Sequence, residues 1–121
     1  ILDSSMTEIL RPILYQSYHD ILPVEKDDNR ERISYDVVGP VCESSDYLAK
    51  GRELQKAKPD DLLALMSAGA YASVMSSNYN VRRKPPEIIV DGDTWHVTRS
   101  RETYDYLLYD ERVIDDLTAI P

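Results

Sequence analysis

Asp91-Gly92 stands between the apolar run Ile88-Ile89-Val90 and the strand-forming run Thr94-Trp95-His96-Val97. A two-residue hairpin turn needs positive φ angles, which glycine adopts without the steric penalty a Cβ brings, so these residues predict a β-hairpin. That element commits a large part of the apolar sequence to strands. Helices are left with short segments.

The rest of the chain reads in the same way. Ser5 and Glu8 have capping-box spacing and predict a helical turn from Met6, interrupted by Pro12. Proline is tolerated at a first helical position, so a second short helix is predicted from Pro12 to about Ser17, with Ile13, Leu14 and Tyr18 near its apolar side. Ile21 to Val24 reads as an apolar strand, joined through the charged loop Glu25 to Arg32 to a strand over Ile33 to Val38 as a hairpin. Gly39-Pro40 ends regular pairing. Asp46 to Pro59 has no clean period and predicts a loop, whereas Leu62 to Met66 predicts a strand covered on both faces. Ser100 is the predicted cap of a last short helix carrying Tyr104, Leu107 and Leu108.

At 121 residues the chain is one domain's worth of sequence, too short to be a barrel enzyme of about 250 residues with an accessory domain. Hydrophobic residues at 42% and charged residues at 30% exclude a disordered or fibrous chain. The net charge of −8 repels phosphate backbones and argues against nucleic acid as a partner. No apolar run reaches the roughly 18 residues of a membrane span, and the first residues lack the pattern of a signal peptide, so no membrane partner is expected. Cys42 is the single cysteine, which excludes an intrachain disulfide and makes a reducing cytoplasm the default compartment. The chain opens on Ile1, in what reads as the end of an apolar strand, and is expected to be part of a longer polypeptide.

Few residues suggest chemistry by themselves. Arg11 and Tyr15 are one helical turn apart, so a guanidinium and a phenol could converge on one carboxylate; a solvated Arg and a core Tyr fit the spacing as well. Cys42 beside Glu43 in a small polar loop fits a reactive thiol with a charged neighbour, or an inert small hydrophobe. Ala68-Gly69-Ala70-Tyr71 and Ser76-Ser77-Asn78-Tyr79-Asn80 bring small residues and hydroxyls together, as a ligand-facing segment or any tight loop would. His19 and His96 are isolated and, with one cysteine, provide no metal-ligand spacing.

Taken in order, five stretches resemble the C-terminal domain of the diaminopimelate decarboxylase family. They are DSSMTEILRPILYQSYH (Asp3 to His19), YDVVGPVCESSD (Tyr35 to Asp46), DDLLALMSAGAY (Asp60 to Tyr71), SSNYN (Ser76 to Asn80) and PEIIVDG (Pro86 to Gly92). GPVCESSD is the most specific, since related ornithine and arginine decarboxylases usually carry Asp after that cysteine. Ser4-Ser5 departs from the family's frequent Ala-Gly, and Ala72 from its frequent Gly.

The resemblance implies a mainly β, Greek-key-like β-barrel domain with short flanking helices, of the alanine racemase and ornithine decarboxylase type. Residues 1–121 would be the C-terminal domain of an enzyme whose N-terminal (β/α)8 barrel holds pyridoxal 5'-phosphate through its lysine and phosphate loop. That barrel is the implied partner, in a homodimer with shared active sites and a small-molecule substrate. By resemblance, Arg11 and Tyr15 hold the substrate's distal carboxylate, Glu43 engages its distal amino group, and Tyr71 sits near substrate and cofactor. Cys42 is the implied catalytic proton donor, reaching the partner subunit's site. The implied reaction converts meso-2,6-diaminopimelate to L-lysine and carbon dioxide, with this chain inactive alone. The alternatives are a related decarboxylase of ornithine, arginine or carboxynorspermidine, and a non-catalytic β-rich interaction domain.

Overall fold

Short strands paired two by two, with short helices between them, build the chain. The computed structural model describes residues 1–113. Those residues fall into two units, Ile1–Asn80 and a second beginning at Val81.

In the first unit, helix α1 (Arg11–Tyr15) is followed by β1 (Ile21–Pro23), β2 (Arg32–Val38), β3 (Tyr47–Gln55), β4 (Leu63–Leu65) and helix α2 (Ala70–Met75). Pro12 sits at the start of α1 and is buried, while Gln16 ends it with a left-handed φ of 53°. Leu14 and Tyr18, read as lying near an apolar side, are instead exposed, because one turn of helix is too short to bury a stripe.

The predicted hairpin of Ile21–Val24 with Ile33–Val38 is not formed. β1 pairs antiparallel with β4, Ile21 opposite Leu65 and Pro23 opposite Leu63. The charged loop explains the change of partner, since Arg30 leaves it to bind Asp61 at 2.5 Å, just before β4, while Leu63 and Leu65 pack against buried Ile21. Leu62 and Met66 at the ends of that run are exposed, so it lacks cover on both faces.

β2 pairs antiparallel with β3, which occupies most of the stretch predicted to be a loop. A bulge hid it. Val37 and Tyr35 face Ala49 and Arg52, so an extra residue enters β3, and the Gly51 N–H leaves the ladder to reach Asp36 Oδ1 at 2.9 Å. A second irregularity, where Val37 and Val38 face Ala49 and Tyr47, leaves Leu48 and Ala49 both buried, as is Leu54, and the period of two disappears from the sequence. With Ile9, Ile21 and Val37 these residues form the core.

The second unit contains the predicted hairpin, β5 (Glu87–Asp91) with β6 (Thr94–Arg99), and helix α3 (Tyr104–Leu107). Asp91 faces Thr94 across the turn, where Gly92 has φ +57°. Thr103 caps α3 in place of Ser100, its Oγ1 accepting from the Tyr106 N–H at 3.1 Å. Ile88, Ile89, Val90, Trp95 and Val97 are each at least half exposed. The fold is thus mainly β with a few short helices, and the described strands pair as three two-stranded sheets with no closed barrel among them.

Candidate active site

All five candidate site residues lie in the first unit, in two groups. The first group forms around Arg11 at the start of α1. Its guanidinium carbon lies 5.5 Å from the centre of the Tyr15 ring, one turn along the same helix, and 5.1 Å from that of Tyr71 in α2. A cation between two π-faces is held by the ring quadrupoles, and its fork of N–H donors stays available at the edge. Tyr15 and Tyr71 are 62% and 65% exposed, so the cluster is open to a ligand. Positive charge beside two phenols suits an anion, and a planar fork suits a carboxylate in particular.

The second group is the loop after β2. Buried Asp46 organises it, with Oδ2 accepting from the Val41 N–H at 2.8 Å and Oδ1 from the Met6 N–H at 2.7 Å. A side chain at position 39 would fall onto that carboxylate, which is why Gly39 stands there. Backbone bonds close the turn: Glu43 N–H to Val41 O at 2.8 Å, Asp46 N–H to Glu43 O at 3.0 Å and Tyr47 N–H to Ser45 O at 2.8 Å. Cys42 is left exposed at its tip with a free thiol.

Glu43 is held more firmly. Its Oε1 accepts from the N–H and Oγ of Ser45 at 3.3 and 3.1 Å, and its Oε2 from the Tyr79 hydroxyl at 3.5 Å. The Ser45 backbone N–H, helped by the serine and tyrosine hydroxyls, keeps the Glu43 carboxyl below the usual carboxylate range. Glu43 therefore carries its charge through the neutral range and is chemically suited to pair with a cation.

Met6 belongs to the Ser5–Glu8 turn, where the predicted capping box is half formed. The Ser5 N–H donates to Glu8 Oε2 at 2.8 Å, while Ser5 Oγ accepts from the Thr7 N–H at 3.1 Å. Among the described residues neither Cys42 nor Glu43 bonds to or stacks on Arg11, Tyr15 or Tyr71. In the sequence Asp46 and Tyr79 stand out only as members of the motifs GPVCESSD and SSNYN. Their spacing to Met6 and Glu43, 40 and 36 residues apart, carries no local signal.

A family model for the C-terminal sheet domain of pyridoxal-dependent decarboxylases matches residues 1–69. The chain belongs to this family. Both site loops up to Glu43 and the core strands lie within the match. The decarboxylase domain is 48% identical over 116 residues to the diaminopimelate decarboxylase of Pseudomonas fluorescens, covering 96% of this chain and 27% of that protein. It is 50% identical over 103 residues to that of Haemophilus influenzae, covering 85% of this chain and 25% of the relative. The crystal structure of diaminopimelate decarboxylase from M. jannaschii in co-complex with L-lysine superimposes with a TM-score of 0.86 at 34% identity, over 96% of this chain and 26% of that one. The chain thus spans about a quarter of the length of the relatives it matches.

The family implies pyridoxal phosphate. Of the chain's five lysines, the Lys26 and Lys56 ammonium groups are paired with Asp28 and Glu31 at 3.0 and 3.3 Å, and that of Lys50 lies 4.1 Å from the Tyr47 ring centre. These suit a surface, not the desolvated pocket of a cofactor lysine. The exposed phenol of Tyr71, beside Arg11, does fit a supporting contact to an anionic group. Among the described residues no cluster of His, Cys, Asp and Glu is arranged to hold a metal, and no helix is long and apolar enough to cross a membrane.

Proposed function

We propose that the decarboxylase domain supplies the substrate-selecting and protonating half of a pyridoxal-phosphate enzyme that converts meso-2,6-diaminopimelate to L-lysine and carbon dioxide. The observation that carries this reading is the Arg11 guanidinium between the Tyr15 and Tyr71 rings, a carboxylate receptor in a family whose ornithine- and arginine-type substrates offer no distal carboxylate. The names of the similar proteins support it.

In this mechanism Arg11 and Tyr15 hold the distal carboxylate, and Glu43, kept ionised by Ser45 and Tyr79, binds the distal ammonium. Recognition of both distal groups fixes the far end of the substrate and so orients the bond to be broken. Pyridoxal phosphate, when bound, would supply the electron sink for loss of carbon dioxide from Cα. Tyr71 would contact the cofactor and substrate from beside Arg11. Cys42 donates its thiol proton to Cα, and the thiolate regains a proton from water. The cofactor's lysine and phosphate loop belong to an N-terminal (β/α)8 barrel of the same polypeptide. The enzyme acts as a homodimer in which the loop of Cys42 and Glu43 reaches the partner subunit's active site. Cytoplasmic location follows from the biosynthetic role.

The test is carbon dioxide release by the full-length enzyme from diaminopimelate, ornithine, arginine and carboxynorspermidine. Diaminopimelate should be preferred by at least about a hundredfold in kcat/KM, because a site built to pair a carboxylate leaves the Arg11 guanidinium unpaired with substrates that lack it. Equal or greater turnover of ornithine or arginine would overturn the assignment, and no turnover of any of the four would favour an interaction domain.

A further inference from the structure

Glu43 has a second donor that comes from a distant part of the chain. Tyr79 lies in the SSNYN segment after α2, and its hydroxyl meets Glu43 Oε2 at 3.5 Å, on the oxygen that Ser45 leaves free. The segment is tied down. The Ser77 N–H donates to Thr7 O at 2.9 Å, and the Tyr79 N–H reaches Ser77 Oγ at 3.5 Å. Thr7 is the neighbour of Met6, whose N–H binds Asp46 on the other side. The buried Ser5–Glu8 turn thus anchors both the loop that carries Glu43 and the segment that carries Tyr79, through adjacent residues.

The backbone beyond Tyr79 is strained. Asn80 and Val81 have φ of +55° and +58°, and a β-branched residue in that region is a true outlier. Consecutive left-handed residues persist where surrounding contacts over-determine them, and such strain gathers at sites where a side chain must be aimed.

We infer that Tyr79 is a positioning residue for substrate selection, its hydroxyl orienting the Glu43 carboxylate so that the remaining lone pairs meet a substrate ammonium. The inference rests on the assignment of Glu43 to the distal ammonium. It makes the SSNYN segment part of the specificity apparatus. Loss of the hydroxyl leaves Glu43 charged and held only through Oε1 by Ser45, so its second oxygen is less well aimed and the binding of substrate suffers more than the chemical step. The same loss removes one contact that favours the ionised carboxyl, and its titration moves up.

The experiment compares wild type, Tyr79→Phe, Glu43→Gln and the double variant in the full-length enzyme loaded with cofactor. Tyr79→Phe should raise KM for diaminopimelate by about three- to tenfold, as expected for a single long hydrogen bond at an exposed site, with a smaller change in kcat. The acid limb of kcat/KM should move to higher pH. In the Glu43→Gln background the same substitution should have almost no further effect on KM, because a neutral side chain at position 43 no longer pairs with the substrate ammonium and its aim ceases to matter. An unchanged KM, an unmoved acid limb, or an additive effect in the double variant would overturn the inference. Failure of wild type to release carbon dioxide from diaminopimelate would instead remove the functional reading on which it rests. Should Tyr79→Phe not fold, 3-fluorotyrosine at position 79, a stronger donor with the ring kept, should lower KM below neutral pH, and no change there overturns the inference equally.

Discussion

The Cys42–Asp46 loop and the Arg11 cluster bind their key side chains by different physics. In the loop almost every polar group has a directional partner: two backbone N–H groups on Asp46, two donors from Ser45 and one from Tyr79 on Glu43. The Arg11 side chain relies on two ring faces beyond 5 Å, on a five-residue helix with no side-chain cap. Hydrogen bonds fall off steeply with distance and angle, whereas the attraction of a cation to a π-face is broad. In the proposed reaction a proton has to reach one carbon atom, which demands tight placement. A distal carboxylate needs only to be caught. The loop holds Glu43, proposed to bind the distal ammonium, by directional bonds and carries Cys42 on the same folded turn, whereas the proposed carboxylate receptor is allowed more give.

The comparison breaks most visibly at Cys42. Cys42→Ala in the full-length enzyme should lower kcat by about 10²- to 10⁴-fold, the usual worth of general acid catalysis, with a smaller change in KM. If Cys42 acts in the partner's site, Cys42→Ala subunits mixed equally with subunits lacking the cofactor lysine should regain up to about a quarter of wild-type activity, one competent site in half of the dimers. An inactive mixture with confirmed heterodimers would confine Cys42 to its own subunit or to a structural role.

Next in size is the scaffold beneath the loop. Asp46→Ala leaves the Val41 and Met6 N–H groups without their acceptor, and Val41 is buried. Denaturant unfolding should show a loss of about 2 to 4 kcal/mol, with activity falling further because Cys42 and Glu43 lose their support. A stability unchanged within error would mean that the loop is held by its backbone turns alone.

These contrasts also explain what could be read before the structure was known. The β5–β6 hairpin was legible because its instruction is local, two residues between two apolar runs. β3 was not, because the bulge near Gly51 destroys the alternation on which strand reading depends. The pairing of β1 with β4 was hidden by sequence distance, and the charged loop read as a hairpin link serves as an arm that docks Arg30 on Asp61. In the site, Arg11 and Tyr15 were visible as an i, i+4 pair and Cys42–Glu43 as neighbours. Tyr71 on Arg11, Asp46 on Met6 and Tyr79 on Glu43 are contacts across the fold, and no local rule encodes them.

The smallest predicted effect sharpens the comparison on its softer side. Tyr15 has two separable parts, a hydroxyl proposed to bind the distal carboxylate and a ring that faces Arg11. Tyr15→Phe keeps the ring and removes the hydroxyl, so its rise in KM measures the hydrogen bond to the substrate alone. Tyr15→Leu removes both. The difference between the two variants isolates the ring's hold on the guanidinium, worth about 0.5 to 1 kcal/mol at an exposed site, or about two- to fivefold in KM. That step should weaken as salt is added, because the attraction is electrostatic and open to solvent. Equal KM values for the two variants would show that Tyr71 and the helix backbone suffice to place Arg11, and a step larger than about tenfold would make the Arg11 cluster as tightly built as the cysteine loop.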